Sequence, residues 1–524
     1  MGNHGAIHPN RIDRRRFLER LGKGAMTASV AASIAEGLAN ATQTDTTLPG
    51  DFGRMFRLPP FAPPTDRVRD ALLELGEPGG IMDANDDLAA GPVALIGDPS
   101  MNLVNKNSST HTAGLTFFGQ FLDHDMTFDP RSRLGFPTQP VRSLNGRTPF
   151  FDLDSVYATG PDTTPELYEL ADAARLRVEH GGQFEDLPRN PTSLAAIIGD
   201  PRNDENLMIA GLHAACLLFH NRAVDELRSQ NASRSDQEIF LIARRLTTWH
   251  YQWIILRQFL PAIAGPRMVD LVLANGRRFY NPRRDRAFIP VEFQIAYRFG
   301  HSMVRPSYRA NLKGDDGQPF FGMIFDPAGE GSRDPVDLRG GARAPRRFVG
   351  WQTFFDFGGA LTADTRPNKK IDTKVSTPLF RLPLGAIAGG TPPTSLMQRN
   401  LLRCLTWQLP CGQAIAREMG VPSLAAADLS ELRPVLDTFV ESTPLFYYVL
   451  KEAEVIEDGE RLGPVGARMI AEVFIGLLQT DPSSYVNLQP TWRPSLPTRS
   501  GISEDFSMAD FLTFARVDPT SRGQ

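Results

Sequence analysis

The chain has little cysteine. Cys216, Cys404 and Cys411, three in 524 residues, form no Cys-x-x-Cys pair and no even-numbered framework, which excludes a fold held together by disulfides. It also lacks charge of one sign. With 56 Lys and Arg against 60 Asp and Glu the net charge is −4, so no global basic field invites nucleic acid. Long apolar runs are missing too: the longest Ala-rich stretch, near the N-terminus, is broken by polar residues and by Glu36, and nothing reads as a transmembrane helix. There is no internal repeat, and no clear linker divides residues 100–485. What is present is the balance of a globular protein, 41% hydrophobic and 22% charged, in a chain long enough for a large buried core. The 45 glycines and 42 prolines make about 17% of the chain, against an average of roughly 12%. Much of it should therefore be irregular loop between helices.

Near the N-terminus, Arg14-Arg15-Arg16-Phe17-Leu18 precedes a weakly apolar run, 25–32, and small residues at Ala39-Asn40-Ala41. This resembles a twin-arginine export signal over residues 1–41, which implies a periplasmic or secreted protein. A basic arm on a cytoplasmic protein is the alternative. Downstream, apolar periodicity predicts helices from Asp204 to Arg228, over 236–260 with a stop at Pro261, and from Val291 to Val304 ahead of Pro306. Two more follow: one after Pro392-Pro393-Thr394-Ser395 and one from Leu462 to Gln479. Residues 307–390, rich in Gly, Pro, Arg and Asp, read as a wrapped loop region.

Four segments carry the chemistry. In Gly119-Gln120-Phe121-Leu122-Asp123-His124-Asp125, behind a helical approach, Gln120 and His124 share one helix face, Asp123 borders it and Asp125 points elsewhere. In Thr148-Pro149-Phe150-Phe151-Asp152-Leu153-Asp154, read as an extended loop, Thr148, Phe150, Asp152 and Asp154 point to one side. Two carboxylates, a hydroxyl and backbone carbonyls there make a hard oxygen cage of the kind calcium prefers, which Asp125 would complete. In Gly199-Asp200-Pro201-Arg202-Asn203-Asp204-Glu205-Asn206 the acids suit a helix start, whereas the positive charge of Arg202 is out of place. In Tyr297-Arg298-Phe299-Gly300-His301 a helix-weakening glycine before a histidine suggests close approach of something flat to the backbone.

Together, in order and spacing, these segments resemble the animal-type haem peroxidase (peroxidase–cyclooxygenase) superfamily in its bacterial branch, over residues 100–480. The resemblance extends through Asn400 and Arg403 in Arg399-Asn400-Leu401-Leu402-Arg403, and through 462–468. It implies a mainly α fold with very little β: an N-terminal arm at 42–99 wrapping the core, a single large helical catalytic domain at 100–490, and a C-terminal tail at 491–524. It implies haem b, with His301 as the iron ligand through Nε2 and Asn400 accepting the His301 Nδ1–H bond. His124 would be the distal acid–base, Arg202 would stabilise charge on the departing hydroxyl, and Gln120 would hold water or a halide. Asp123 and Glu205 match carboxylates that form haem esters in related peroxidases, and Arg298 and Arg403 would meet the propionates. The calcium ligands would be Asp125, Thr148, the Phe150 carbonyl, Asp152 and Asp154. His213 and His220 match no family ligand and read as structural.

The implied activity is reduction of hydrogen peroxide with oxidation of a small donor: a halide, thiocyanate or an organic phenol. In the strongest halogenating relative a Met directly after the esterified Glu forms a sulfonium link to haem; here that residue is Asn206, which implies weaker chloride oxidation. A fatty-acid dioxygenase of the same superfamily is the runner-up. That branch has a radical-forming Tyr three residues before its proximal His, where this chain has Arg298; Tyr297 stands four before. A haem- and calcium-binding module without activity is the non-enzyme alternative. The joint presence of His124 and Arg202 weighs against it, because mere haem binding requires neither.

Overall fold

A computed structural model describes residues 50–524, apart from 130, 231–232, 283–286, 330, 333 and 388–389. The export-like segment, 1–41, lies outside the described residues. The fold is mainly α, with strands confined to short pairs and one three-stranded ribbon in which Gly50–Gly53 lies between Phe288–Pro290 and Leu144–Asn145. Phe52, Phe56 and Phe61 from this leading stretch are buried. Helix α1, Asp66–Leu75, starts at the Thr65 cap and buries Val68, Ala71, Leu72 and Leu75 at helical spacing.

Helix α2, Ala113–Met126, is apolar on nearly every side because it crosses the interior; Phe117, Phe118, Phe121 and Leu122 are buried. Helix α3, Leu207–Gln230, and helix α4, Asp236–Ile254, form a long packed pair. The start of α3 is a 3₁₀ turn, Pro201–Asp204, with Pro201 where a missing N–H costs nothing. A Ser235–Glu238 capping box opens α4. Among the described residues α3 alone is long and apolar enough to cross a membrane, and it is a core helix with 89% of its most apolar stretch buried.

Two expected helices end differently. Pro261 does not stop α4: a π turn, Ile255–Phe259, intervenes and helix resumes over Leu260–Ala264. The proline falls in the first turn of that new segment, where no N–H is needed, and the chain leaves at Gly265 instead. The third helix is α only over Val291–Ala296 (α5) and tightens to a 3₁₀ turn at Tyr297–His301, where Gly300 weakens α geometry.

Helix α6, Leu396–Thr406, has Ser395 as its cap and packs on α1. Helix α7, Leu445–Glu457, supports α8, Pro464–Thr480: buried Glu452 of α7 accepts from the backbone N–H groups of Val465 and Gly466 at 3.0 and 3.3 Å. That puts a carboxylate at the positive end of α8. At the C-terminus, Phe511 stacks on Phe219 of α3 with ring centres 4.1 Å apart. Residues 307–390 are short strands and 3₁₀ turns, as their composition predicts.

Candidate functional site

The chemistry converges on one cavity of about 250 Å³, whose lining includes Gln120, Asp123 and His124 from α2, Arg202 and Glu205 from the 3₁₀ turn before α3, and His301 from the turn after α5. Apolar side chains complete it, among them Met303, Ile324, Leu379, Leu382, Ile387 and Leu396. Three of the four segments singled out in the sequence are thus brought together, and the fourth, 148–154, does not line the cavity.

His124 is buried in the last turn of α2. Its Nδ1 donates to Asn203 Oδ1 at 2.9 Å, and Asn203 Nδ2 in turn donates to His213 Nδ1 at 3.1 Å. Burial, and then the charge of Arg202, push the His124 pKa down to about 4, so the ring is neutral with a bare Nε2. That nitrogen lies 4.0 Å from Glu205 Oε2. Burial pushes Glu205 up to about 8, which keeps it protonated at neutral pH. Gln120 Nε2 donates to Glu205 Oε2 at 3.1 Å, while Asn206 Nδ2 donates to Gln120 Oε1 at 3.2 Å. Asn206 is thus a brace for the glutamine, and its Oδ1 also caps α3 through Ile209 N–H.

Arg202 is held rather than free. Its Nε and one terminal nitrogen donate to Asp200 at 3.1 and 2.7 Å, and that same nitrogen reaches the carbonyls of His124 and Thr127. The other terminal nitrogen stands 4.0 Å from Asp123. Asp200 is fully buried, with Arg147 Nε at 2.9 Å from its second oxygen. Burial alone would raise this carboxyl; the two guanidiniums and the Arg202 bond hold it far below the usual range. The turn is clamped from the distant loop. Gly340 N–H donates to the Glu205 carbonyl at 2.9 Å, Gly341 N–H donates to Asp204 Oδ1 at 3.2 Å, and Arg189 pairs with Asp204 at 2.7 Å. A Cβ at Gly340 would lie 1.5 Å from the Asp204 carbonyl oxygen, so only glycine fits there.

On another wall His301 is half-buried, and desolvation followed by the Arg298 charge pushes it down to about 3. Its neighbour Asn400 departs from expectation. Arg298, which can only donate, gives a 3.2 Å bond to Asn400 Oδ1, so the amide turns its Nδ2 toward His301 Nδ1 at 2.8 Å. Asn400 therefore donates to the imidazole instead of accepting from it. Arg298 Nε has no hydrogen-bond partner, and burial pushes this guanidinium down to about 10. Arg403 instead pairs with Asp129 at 2.6 Å and contacts Ser132. With Arg399, this rim carries three guanidiniums, which the carboxylates of Asp123 and Asp129 offset only in part. Beside His301, a Cβ at Gly300 would meet no atom within 4 Å, which leaves the backbone open to the cavity. Tyr297 also lines the cavity, but its hydroxyl donates to the Gly119 carbonyl at 2.9 Å.

Behind His124, Asp125 turns away to join Asp152 and Asp154, an oxygen of each lying within 4.8 Å of the others. Thr148 Oγ1 donates to Asp152 at 2.9 Å, and Thr148 N–H donates to Asp154 at 3.0 Å. The segment is not extended throughout: Leu153, at φ 59°, turns Asp154 into a short helix, Asp154–Tyr157, and Phe150 precedes that turn. Burial raises all three carboxyls, Asp154 to about 7, and Asp154 Oδ1 has no hydrogen-bond partner. His220 bonds Tyr157 and the Ala174 carbonyl, as a structural histidine should. His213 does not stand apart in that way, since it reaches the site through Asn203. Asp200, Asn203 and His213 went unread as site residues because an acid or amide beside a helix start reads as an ordinary cap.

Residues 131–327 match the family model described as animal haem peroxidase, a span that holds Arg202, Glu205 and His301. The thyroid peroxidase of the dog is 26% identical over 317 residues, 44% of this chain and 33% of that protein. The chain thus spans about a third of the length of this relative. Among solved structures, peroxidase A of Dictyostelium discoideum superposes with a TM-score of 0.58 at 17% identity, covering 84% of this chain and 92% of that one. A fatty acid alpha-dioxygenase of Arabidopsis thaliana gives 0.52 at 14% identity, with 78% and 71% covered. That family model spans the turn before α3 and the His301 turn, so this stretch of the chain is similar to an animal haem peroxidase domain.

Proposed function

We propose that this protein is a haem-dependent peroxidase that reduces hydrogen peroxide and oxidises a small donor. The observation that carries the reading is a neutral, buried His124 beside an anchored Arg202, in the same cavity as a neutral His301. The cavity suits haem on its own chemistry. A rim of three guanidiniums suits acidic propionates, the unpartnered Arg298 Nε awaits an acceptor, and Gly300 leaves room for a flat ring. His301 would hold the iron through Nε2 with its proton moved to Nδ1 and the Asn400 amide turned over to accept it, which releases Arg298; Arg298, Arg399 and Arg403 would meet the propionates, and Asp123 and Glu205 would form the ester links. Haem, when bound, supplies the redox-active iron at which peroxide is reduced.

The chain's own work is proton handling. His124 Nε2 takes a proton from one peroxide oxygen and returns it to the other, and its low pKa keeps that nitrogen bare. Arg202, fixed by Asp200, presents positive charge to the departing hydroxyl without reorganising. Asp125, Asp152, Asp154, Thr148 and the Phe150 carbonyl would hold one calcium ion, whose charge offsets three carboxylates crowded together in the interior. The export-like N-terminus supports a periplasmic or secreted location.

Donor choice follows from Asn206, which braces Gln120 and has no sulfur to link to a vinyl group; bromide, iodide, thiocyanate and organic donors are favoured over chloride. The test is the absorption spectrum of haem-loaded protein before and after peroxide. His301→Ala should lose haem ligation, while His124→Ala should keep haem and lose at least ~10²-fold in peroxide turnover. Normal turnover by His124→Ala would overturn the reading.

A further inference from the structure

The family resemblance leaves His213 without a role, yet it is one of three buried polar groups in a line that ends at the cavity. Asn203, fully buried in the 3₁₀ turn, bonds His124 with its carbonyl oxygen and His213 with its amide nitrogen, at 2.9 and 3.1 Å. An asparagine amide presents acceptor and donor on fixed sides, so the two imidazoles must take complementary tautomers. His124 must then carry its proton on Nδ1, leaving Nε2 bare toward the cavity, and His213 must accept at its own Nδ1. Neither partner is exchangeable for water, because His124 and His213 are buried as well. Turning the amide over would cost both bonds unless both rings switched tautomer together. The Asn203 backbone is tied by its own N–H to the Asp200 carbonyl at 3.0 Å, so the group that orients the histidine and the one that anchors Arg202 belong to one turn.

We infer that Asn203, backed by His213, is a positioning residue that fixes His124 in the Nδ1–H tautomer with Nε2 free to accept a proton. Its part in turnover rests on the peroxidase reading above; the tautomer itself does not. Asn203→Leu has similar volume and neither hydrogen bond. Asn203→Asp keeps an oxygen opposite His124 Nδ1, and His213 can answer the new oxygen by moving its proton to Nδ1.

The experiment uses the full-length chain labelled with ¹⁵N-histidine, without haem, at neutral pH, and then the haem-loaded proteins in stopped flow. The expected spectrum shows the His124 Nε2 nitrogen unprotonated in the parent and in Asn203→Asp, and averaged between tautomers in Asn203→Leu. After loading, Asn203→Leu should lose about 10²-fold in its second-order rate with peroxide at unchanged haem content and unchanged KM for the donor. Asn203→Asp should recover most of that loss. A parent spectrum with the proton on His124 Nε2 overturns the inference, as does an Asn203→Leu protein that keeps both tautomer and rate. If the tautomers behave as stated while the loaded parent fails to consume peroxide, the positioning role stands and the peroxidase reading falls.

Discussion

Replacing Asp200 by Asn tests whether the site is held by charge. Asp200 is fully buried and accepts from Arg202 at Nε, at a terminal nitrogen and at its backbone N–H, with Arg147 2.9 Å from its other oxygen. Asn keeps a cap for the turn but removes the only carboxylate in hydrogen-bond contact with Arg202 among the described residues and turns an NH₂ toward a guanidinium. Removing one partner of a buried ion pair costs about 3–5 kcal/mol, because the other charge stays buried. An unfolding entropy of about 2.1 cal/mol/K per residue gives about 1.1 kcal/mol/K for 524 residues, so the melting temperature should drop by about 3–5 °C. The sign with pH follows from the depressed carboxyl. The Asp200 contribution is fully present above the unfolded value of about 3.9 and is lost as pH falls through the lower folded value. The parent and variant should therefore differ at pH 7 and converge in strong acid. Differential scanning calorimetry across this range is the assay. A variant melting within about 1 °C of the parent at pH 7 would refute the claim that Asp200 neutralises two half-buried arginines.

Other outcomes follow from the same geometry. Below the Glu205 titration near 8 the peroxide step should be flat down to pH 5 and fall only toward about pH 4, where His124 protonates; a limb near the ordinary histidine value would contradict the desolvated base. Elemental analysis should find about one calcium per chain, and chelation should lower the melting temperature, whereas full activity in calcium-free protein would remove that ion from the account. Oxidation of bromide and thiocyanate should outrun chloride, and robust chlorination of a taurine-type acceptor near neutral pH would show that Asn206 does not limit the oxidant. Linoleate should cause no oxygen uptake, since Arg298 stands three before His301 and the Tyr297 hydroxyl is tied to Gly119; uptake abolished by Tyr297→Phe would reverse the choice between the two activities.

Local pattern carried a good deal of this. The face shared by Gln120 and His124 and the opposite direction of Asp125 follow from a 3.6-residue period, and the helix entry at Ser395 follows from its capping side chain. Where reading by period failed, a switch of helix type was responsible. The π turn at 255–259 carried the chain past Pro261, and the 3₁₀ turn at 297–301 replaced the α-helix expected under His301. Both depend on tertiary packing that no local window contains. The direction of the Asn400 bond was illegible for a different reason: it depends on a third residue, Arg298, which is 102 positions away. Asn203 was missed because the sequence around it is that of an ordinary helix cap.

The clamp on the turn before α3 has a consequence for how this protein is made. Asp204 and the Gly341 N–H that binds it are 137 residues apart, and Leu207 N–H likewise bonds the Leu338 carbonyl. Closing a loop of that length costs entropy before the contact returns any of it, and such contacts form slowly. The segment bearing Arg202, Asn203 and Glu205 is thus complete only after α3, α4, the His301 turn and the strand pair behind it have been synthesised and docked. A nick near Gly340–Gly341 in the mature protein would release the distal turn while leaving the helical core joined.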